Sequence, residues 1–386
     1  MIPRYGPTFS YSDLKTSLDL CRQGDVDSRL CARLAEMYGL KHVFLFESAR
    51  VALFTALRAY ARPGKVLMPA YNCIVVPEAV QFAGYQPEFV DIDPDSLNME
   101  ADSLEKAITA DTTAVLATHL FGIPCALEET IRVAREHHLL VIEDAAPALG
   151  AEYHGKLAGS FGDAVIISFQ ATKVISGEAG GALLTNQDEL AEKITRLLPD
   201  QAPDGNSWKL YTKAAARKLA TAAWFYPITH QAYRLLKNEQ MFEIVTPQTE
   251  MQKGFFQRCS PFSSGLVMAQ LDRLPWNLER RRRLAQIYQE KLSSQTNARL
   301  IRIVPDSSPA WIQFPVIVEN KQDFYHYMAS RGIDLSWTYR YSCADSYQNE
   351  NCPNAQRAAR TVLGLPTYPS LSDEQAQVIC EAVYQY

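Results

Sequence analysis

Leu139-Leu-Val-Ile-Glu-Asp144, followed by Ala145, Ala146 and Pro147, is an uninterrupted apolar run that ends in two acids and then in small residues. A run without polar alternation is expected where a strand is covered on both faces, as in a parallel sheet. Its carboxylates then stand at the C-terminal end of the strand, the edge at which open α/β sheets collect ligands. If the strand alternates, Glu143 and Asp144 project to opposite faces; Asp144 is the site candidate and Glu143 is assigned a structural role. A second apolar run, Ala164-Val-Ile-Ile-Ser-Phe169, precedes Lys173 and the glycine-rich stretch Ser176-Gly-Glu-Ala-Gly-Gly181. It puts one amine at a strand exit, where it can face the same crevice as Asp144.

Outward from these two strands, helix signals at 28–38, 50–60, 74–82, 126–137 and 187–198 alternate with short apolar strands, the rhythm of a mainly parallel sheet. Pro63-Gly64, Pro94-Asp-Ser96 and Asn186-Gln-Asp188 read as turns. From about Ser263 the pattern changes to a long amphipathic stretch through Lys291 that contains Pro275. Trp311-Ile-Gln-Phe-Pro-Val-Ile-Val318 and two terminal helices follow. The expected fold is α/β, with a large domain over 1–254 and a smaller C-terminal α+β domain over 255–386.

An amine in a loop just past a buried strand can form a Schiff base with an aldehyde, which is how proteins anchor pyridoxal 5'-phosphate. A carboxylate such as Asp144 would keep the pyridine nitrogen protonated, and the protonated ring withdraws the electron pair left by a broken Cα–H bond. The phosphate needs a separate cradle. In Phe44-Leu-Phe-Glu-Ser-Ala-Arg-Val-Ala-Leu53 a short strand runs into a helix with Ser48 as N-cap, so the N–H groups of Ala49, Arg50 and Val51 and the helix dipole suit a dianion. Arg50 can add a forked contact, and Ser168 a hydroxyl. Taken singly, each has an ordinary alternative: a solvated loop lysine, an ion-paired strand-end acid, a capped helix.

The ordered series Ser48-Ala-Arg-Val-Ala-Leu53, Pro69-Ala-Tyr-Asn-Cys73, Phe89-Val-Asp-Ile-Asp-Pro94, His119-Leu-Phe-Gly122, Val141-Ile-Glu-Asp-Ala-Ala146, Gly159-Ser-Phe-Gly-Asp163 and Ser168-Phe-Gln-Ala-Thr-Lys173 resembles the DegT/StrS-type sugar aminotransferases. The resemblance extends into the C-terminal stretch that begins at Pro353. It implies fold type I of the pyridoxal-phosphate-dependent transferases and a homodimer with a shared active site. It also implies that Lys173 forms the Schiff base, that Asp144 pairs with the pyridine nitrogen, and that Ser168, Ala49 and Arg50 hold the phosphate. The reaction it implies moves an amino group from an amino acid, glutamate, to a keto sugar linked to a nucleotide.

Several positions depart from the family pattern. Ser48-Ala49-Arg50 stands where Ser-Gly-Thr is usual, and Pro147 replaces a common glutamine and its hydrogen bond. Cys73 takes the place of an aromatic that stacks on the ring, with Tyr71 close in sequence. Phe256 replaces an asparagine that reaches the neighbouring subunit's phosphate, while Arg258 is retained, either for that contact or for the local fold. His119 is placed at the sheet edge as active-site lining. The loop Trp337-Thr-Tyr-Arg-Tyr341 offers Tyr339 and Arg340 to the sugar or nucleotide, or else ends a core strand. Two other classes stay open: a sugar dehydratase of the same fold, whose histidine at the Schiff-base position conflicts with Lys173, and a non-catalytic pyridoxal-phosphate-binding scaffold.

At 386 residues the chain exceeds one typical domain, and 47% hydrophobic content can fill a sizeable core. A formal charge of −5 gives no electrostatic reason to expect nucleic acid, and the run Arg280 to Arg283 reads as the decoration of a solvated helix. Eight cysteines without a C-x-x-C pair point away from a metal site and toward reduced thiols in a cytoplasm. No signal peptide opens the sequence and no segment is apolar for long enough to span a bilayer. The segment 198–254 is the least family-like. Within it 211–237 reads as one aromatic helix broken or kinked at Pro227, which either packs on a partner subunit, roofs the site, or touches a membrane surface through 208–237.

Overall fold

The computed structural model describes residues 1–198, 206–222, 224–236, 245–252, 254–293, 297–349 and 351–386. Helices α1 (Tyr11–Gln23) and α2 (Val26–Tyr38) lead into β1 (His42–Phe46) and α3 (Ala49–Tyr60). Strands and helices then alternate as β2 (Lys65–Pro69), α4 (Val75–Phe82), β3 (Gln86–Val90), α5 (Ala101–Ala107), β4 (Thr112–Thr118), α6 (Leu127–Glu136) and β5 (Leu140–Asp144). Next come β6 (Ala164–Ser168), β7 (Gly181–Thr185) and α7 (Asp188–Leu197). The seven strands form one sheet in the order β1-β7-β6-β5-β4-β2-β3. From β3 to β6 neighbouring strands are parallel, and β7 runs against both β6 and β1. Every residue of β5 and β6 is buried, which is why these strands read as unbroken apolar runs.

The crossing from β7 to α3 is tight. A Cβ added at Gly181 would lie 2.2 Å from the amide nitrogen of Ala49 and 2.5 Å from the carbonyl carbon of Ser48. Only backbone fits between the antiparallel strand and the start of α3, whose first turn is thereby locked to the sheet. Gly181→Ala is expected to destabilise the protein by about 3 kcal/mol, because the clash is with backbone that cannot rotate away. Urea denaturation of the two proteins measures this.

The C-terminal part begins with α8 (Asn206–Ala220), α9 (Tyr226–Leu236), α10 (Pro261–Leu271) and α11 (Leu274–Leu292). A three-stranded antiparallel sheet follows, formed by β8 (Ala298–Leu300), β9 (Phe314–Val318) and β10 (Val362–Leu365), with α12 (Lys321–Ser330), α13 (Cys343–Ser346), α14 (Pro353–Thr361) and α15 (Asp373–Gln385) around it. The fold is thus the expected α/β architecture with a smaller α+β unit. Helix α10 packs on α1, α2 and α8, whereas α11 packs on α15 and the small sheet.

Three expectations about helices are corrected. The segment read as one helix over 211–237 is two, starting earlier at Asn206. Pro227 is the second residue of α9, where the absent N–H costs nothing, so it starts a helix rather than kinking one; Lys237 lies outside the described residues. The run Arg280 to Arg283 is not a solvated face. Arg280 and Arg283 pair with Asp373 of α15, Arg281 is buried with its guanidinium on Asn277 and the carbonyl of Trp311, and Arg282 donates to the carbonyls of Gly150, Ser308 and Pro309. Helix α1 was not anticipated, although Ser10 and Asp13 form a reciprocal capping box at its start.

Candidate active site

The C-terminal ends of β2, β4, β5 and β6 converge beside the N-terminus of α3. Asp144 ends β5 and is almost fully buried, its Oδ1 accepting from the amide of Ala146 at 3.0 Å. Burial raises the Asp144 carboxyl above its usual range, against the opposing pull of the Ala146 N–H and of Lys173. Lys173 follows β6, its amide donating to the carbonyl of Gln170 at 3.0 Å. Burial of the Lys173 amine pushes it below the usual lysine range, with Cys73 and Asp144 acting in the other direction.

Both residues line one cavity of about 200 Å³. Ala49, Arg50, Cys73, Ser168 and Tyr339 line it as well, so seven of the candidates meet in one space, with Pro147 at its wall. Ser48 stands behind it as the N-cap of α3, Oγ accepting from the amide of Val51 at 3.4 Å in extended backbone geometry. The first turn of α3 therefore meets the cavity through Ala49 and Arg50, with the positive end of the helix dipole there, as suits an anion. Burial also raises the Cys73 thiol, keeping it neutral.

Three candidates fall elsewhere. His119 is fully buried between Glu143, at 3.2 Å from Nε2, and the amide of Cys125, which donates to Nδ1 at 3.3 Å. The expectation that it lines the site is corrected: its ring is taken up on the opposite face of β5. Tyr71 is also fully buried, its ring edge-on to Tyr339 at 5.4 Å and its hydroxyl donating to the Tyr339 carbonyl at 3.5 Å. Arg340 lies over the Trp337 ring, 5.2 Å from its centroid, and is not among the residues lining the cavity. Tyr339 does line the cavity, and it alone among the lining residues comes from the C-terminal unit. Phe256 packs edge-on against Phe54 at 5.6 Å, and the backbone of Arg258 bridges Phe46.

Glu143 has the structural role expected of it. Its carboxylate accepts from the amides of Gly159, Phe161 and Gly162 at 2.6–2.7 Å, tying the loop between β5 and β6 to the sheet. Glu143→Gln places an amide N–H against N–H donors, and a loss of about 3 kcal/mol is expected in thermal or urea unfolding, since hydrogen bonds to a buried charge are lost together.

Asn72, Thr118 and Gln170 line the cavity without having been singled out. Asn72 Nδ2 donates to Thr118 Oγ1 at 3.1 Å while its Oδ1 accepts from the Cys73 amide at 2.7 Å, joining the ends of β2 and β4. Their signal was present, since both are polar residues at parallel-strand exits. The assembled set fits pyridoxal 5'-phosphate: an amine biased to its neutral form, a buried carboxylate on the same cavity, and a helix N-terminus with a neighbouring serine for a dianion.

The pattern of the DegT/DnrJ/EryC1/StrS aminotransferase family matches residues 13–384. Among curated proteins, the chain is similar to the GDP-perosamine synthase of Caulobacter vibrioides, 34% identical over 68% of this chain and 61% of that protein. It is similar also to the spore coat polysaccharide biosynthesis protein SpsC of Bacillus subtilis, 29% identical over 90% of this chain and 86% of that one. Among solved structures, DesV of S. venezuelae superposes with a TM-score of 0.81 at 26% identity, over 100% of this chain and 98% of that chain.

Proposed function

The chain belongs to the DegT/DnrJ/EryC1/StrS aminotransferase family, a family of pyridoxal-phosphate-dependent enzymes, and from that premise we propose that it transfers an amino group from glutamate to a keto sugar carried on a nucleotide. The observation that carries this reading is the meeting of Lys173 and Asp144 on one enclosed cavity at the N-terminus of α3. Support for a nucleotide-linked acceptor comes from relatives named as GDP- and dTDP-sugar enzymes. A role in polysaccharide building blocks is in keeping with the relative SpsC.

When bound, the cofactor supplies an aldehyde for amine exchange and a ring that accepts the electrons of a broken C–H bond. Ala49, Arg50 and Ser168 would hold its phosphate, Asp144 its ring nitrogen, and Lys173 its aldehyde carbon. Held toward the neutral amine by burial, Lys173 Nζ takes the proton from Cα of the donor in one half-reaction and delivers a proton to the aminated carbon of the sugar in the other. Tyr339, reaching in from the C-terminal unit, faces whatever substrate enters. Cys73 leaves its side of the cavity uncharged.

The enzyme is read as a cytoplasmic homodimer. All eight cysteines are free thiols, as a reducing compartment permits. A polar cleft of about 510 Å³ continues outward from the cavity at Arg50 and Gln170, between the start of α3, α8 and Phe255.

Absorbance spectroscopy tests the reading. The purified enzyme with cofactor should absorb in the visible, glutamate should bleach that band, and a nucleotide-linked keto sugar should restore it. A band that no amino acid discharges would replace transfer by simple cofactor binding.

A further inference from the structure

The outer face of α8 and α9 carries chemistry that amino transfer does not use. From 206 to 236 the sequence holds Lys209, Lys213, Arg217, Lys218 and Arg234 and neither Asp nor Glu, in a protein of formal charge −5. Leu210 and Ala214 turn one side of α8 inward, where they are buried with Leu14 of α1 and with Phe262 and Leu266 of α10. Away from that side, Trp208 is 66% exposed and Leu219 45%, with Lys209 and Lys213 exposed beside them. Past the break, Trp224 is 72% and Ile228 60% exposed, while Tyr226 and His230 face inward.

The cations divide by face. Arg217 is spent on Glu178 at 2.9 Å and Lys218 on the carbonyl of Phe9 at 2.8 Å. Lys209 and Lys213 are exposed, with Lys213 at the rim of the cleft beside α3. Exposed tryptophans and aliphatics flanked by ammonium groups, with no acid among them, form the pattern of a helix lying at a bilayer surface, where indoles settle at headgroup level and lysines meet lipid phosphates. A second copy of this chain fits less well, because a two-fold contact sets the same patch against itself and so opposes like charges.

We propose that the α8–α9 face, through Trp208, Leu219, Trp224, Ile228, Lys209 and Lys213, docks the enzyme on an anionic phospholipid surface. No helix among the described residues is long and apolar enough to cross a membrane, so the association is peripheral. Because Lys213 and Arg217 also border the cleft leading to the cavity, docking would bring that entrance close to the bilayer.

Co-sedimentation of the cofactor-loaded enzyme with vesicles tests this. It should pellet with phosphatidylcholine–phosphatidylglycerol vesicles and stay in solution with phosphatidylcholine alone. Lys209→Gln with Lys213→Gln is expected to weaken binding roughly thirty-fold, the effect of two near-surface charges. Trp224→Ser with Ile228→Ser should also release the enzyme while activity on a soluble acceptor is retained. Equal recovery in the supernatant with and without anionic lipid overturns the proposal. So does a fall in sedimenting mass of the Trp224→Ser, Ile228→Ser protein without lipid, which would make the face a contact between copies.

Discussion

Lys173→Met is expected to lower kcat by roughly 10⁴-fold or more, because one residue serves both as the point of covalent attachment and as the group that moves the proton. Methionine keeps the length and the apolar stem, so the cavity should stay folded and still take up cofactor. Another lysine appears at first to compete for the role. Lys321 is buried, and burial together with Arg340 pushes its amine down to about 7. Its surroundings exclude it: Nζ donates to the carbonyls of Trp337 and Ala359 at 3.0 and 2.9 Å, and it does not line the cavity with Asp144. A shifted amine is therefore not enough; it must share a cavity with the carboxylate and the anion cradle. Borohydride reduction followed by digestion should place the cofactor on the peptide bearing Lys173. Attachment at Lys321, or turnover by Lys173→Met within ten-fold of the parent, would remove the assignment.

Much of this site was legible because its parts are short-range. The apolar runs of β5 and β6 end where buried strands must, Ser48 caps α3 with its own hydroxyl, and the parallel topology brings their C-terminal ends together. What the sequence could not supply was facing. His119 follows β4 just as Asp144 ends β5, yet its ring turns to Glu143. When both faces of a strand are apolar, alternation leaves no polar pattern to say which side a strand-end residue takes. Tyr71 is turned inward for a related reason, since aromatic side chains satisfy one another inside the fold as readily as they bind ligands.

Asp144→Asn should cut turnover by roughly 10³-fold, the scale for losing one preorganised electrostatic partner, while making the cofactor-free protein more stable near neutral pH. The sign follows from proton counting. The folded-state carboxyl of Asp144 is raised by burial, so between the ordinary carboxylate range and that raised value the folded chain binds more protons than the unfolded one. Stability conferred by the protonated form is lost as pH rises through that window. The Lys173 amine is lowered by burial, so between its folded value and the ordinary lysine range the unfolded chain binds more protons, and stability rises with pH there. Where both groups are charged the empty site is consequently at its least stable. Asparagine cannot ionise, so it removes the Asp144 part of that cost and leaves the acceptor oxygen for the Ala146 amide. Thermal unfolding of the cofactor-free proteins should show a higher midpoint for Asp144→Asn at pH 7, with the difference disappearing in acid, where Asp144 is protonated in both states. A lower midpoint at pH 7 would mean that the carboxylate stabilises the fold rather than being held there for the cofactor.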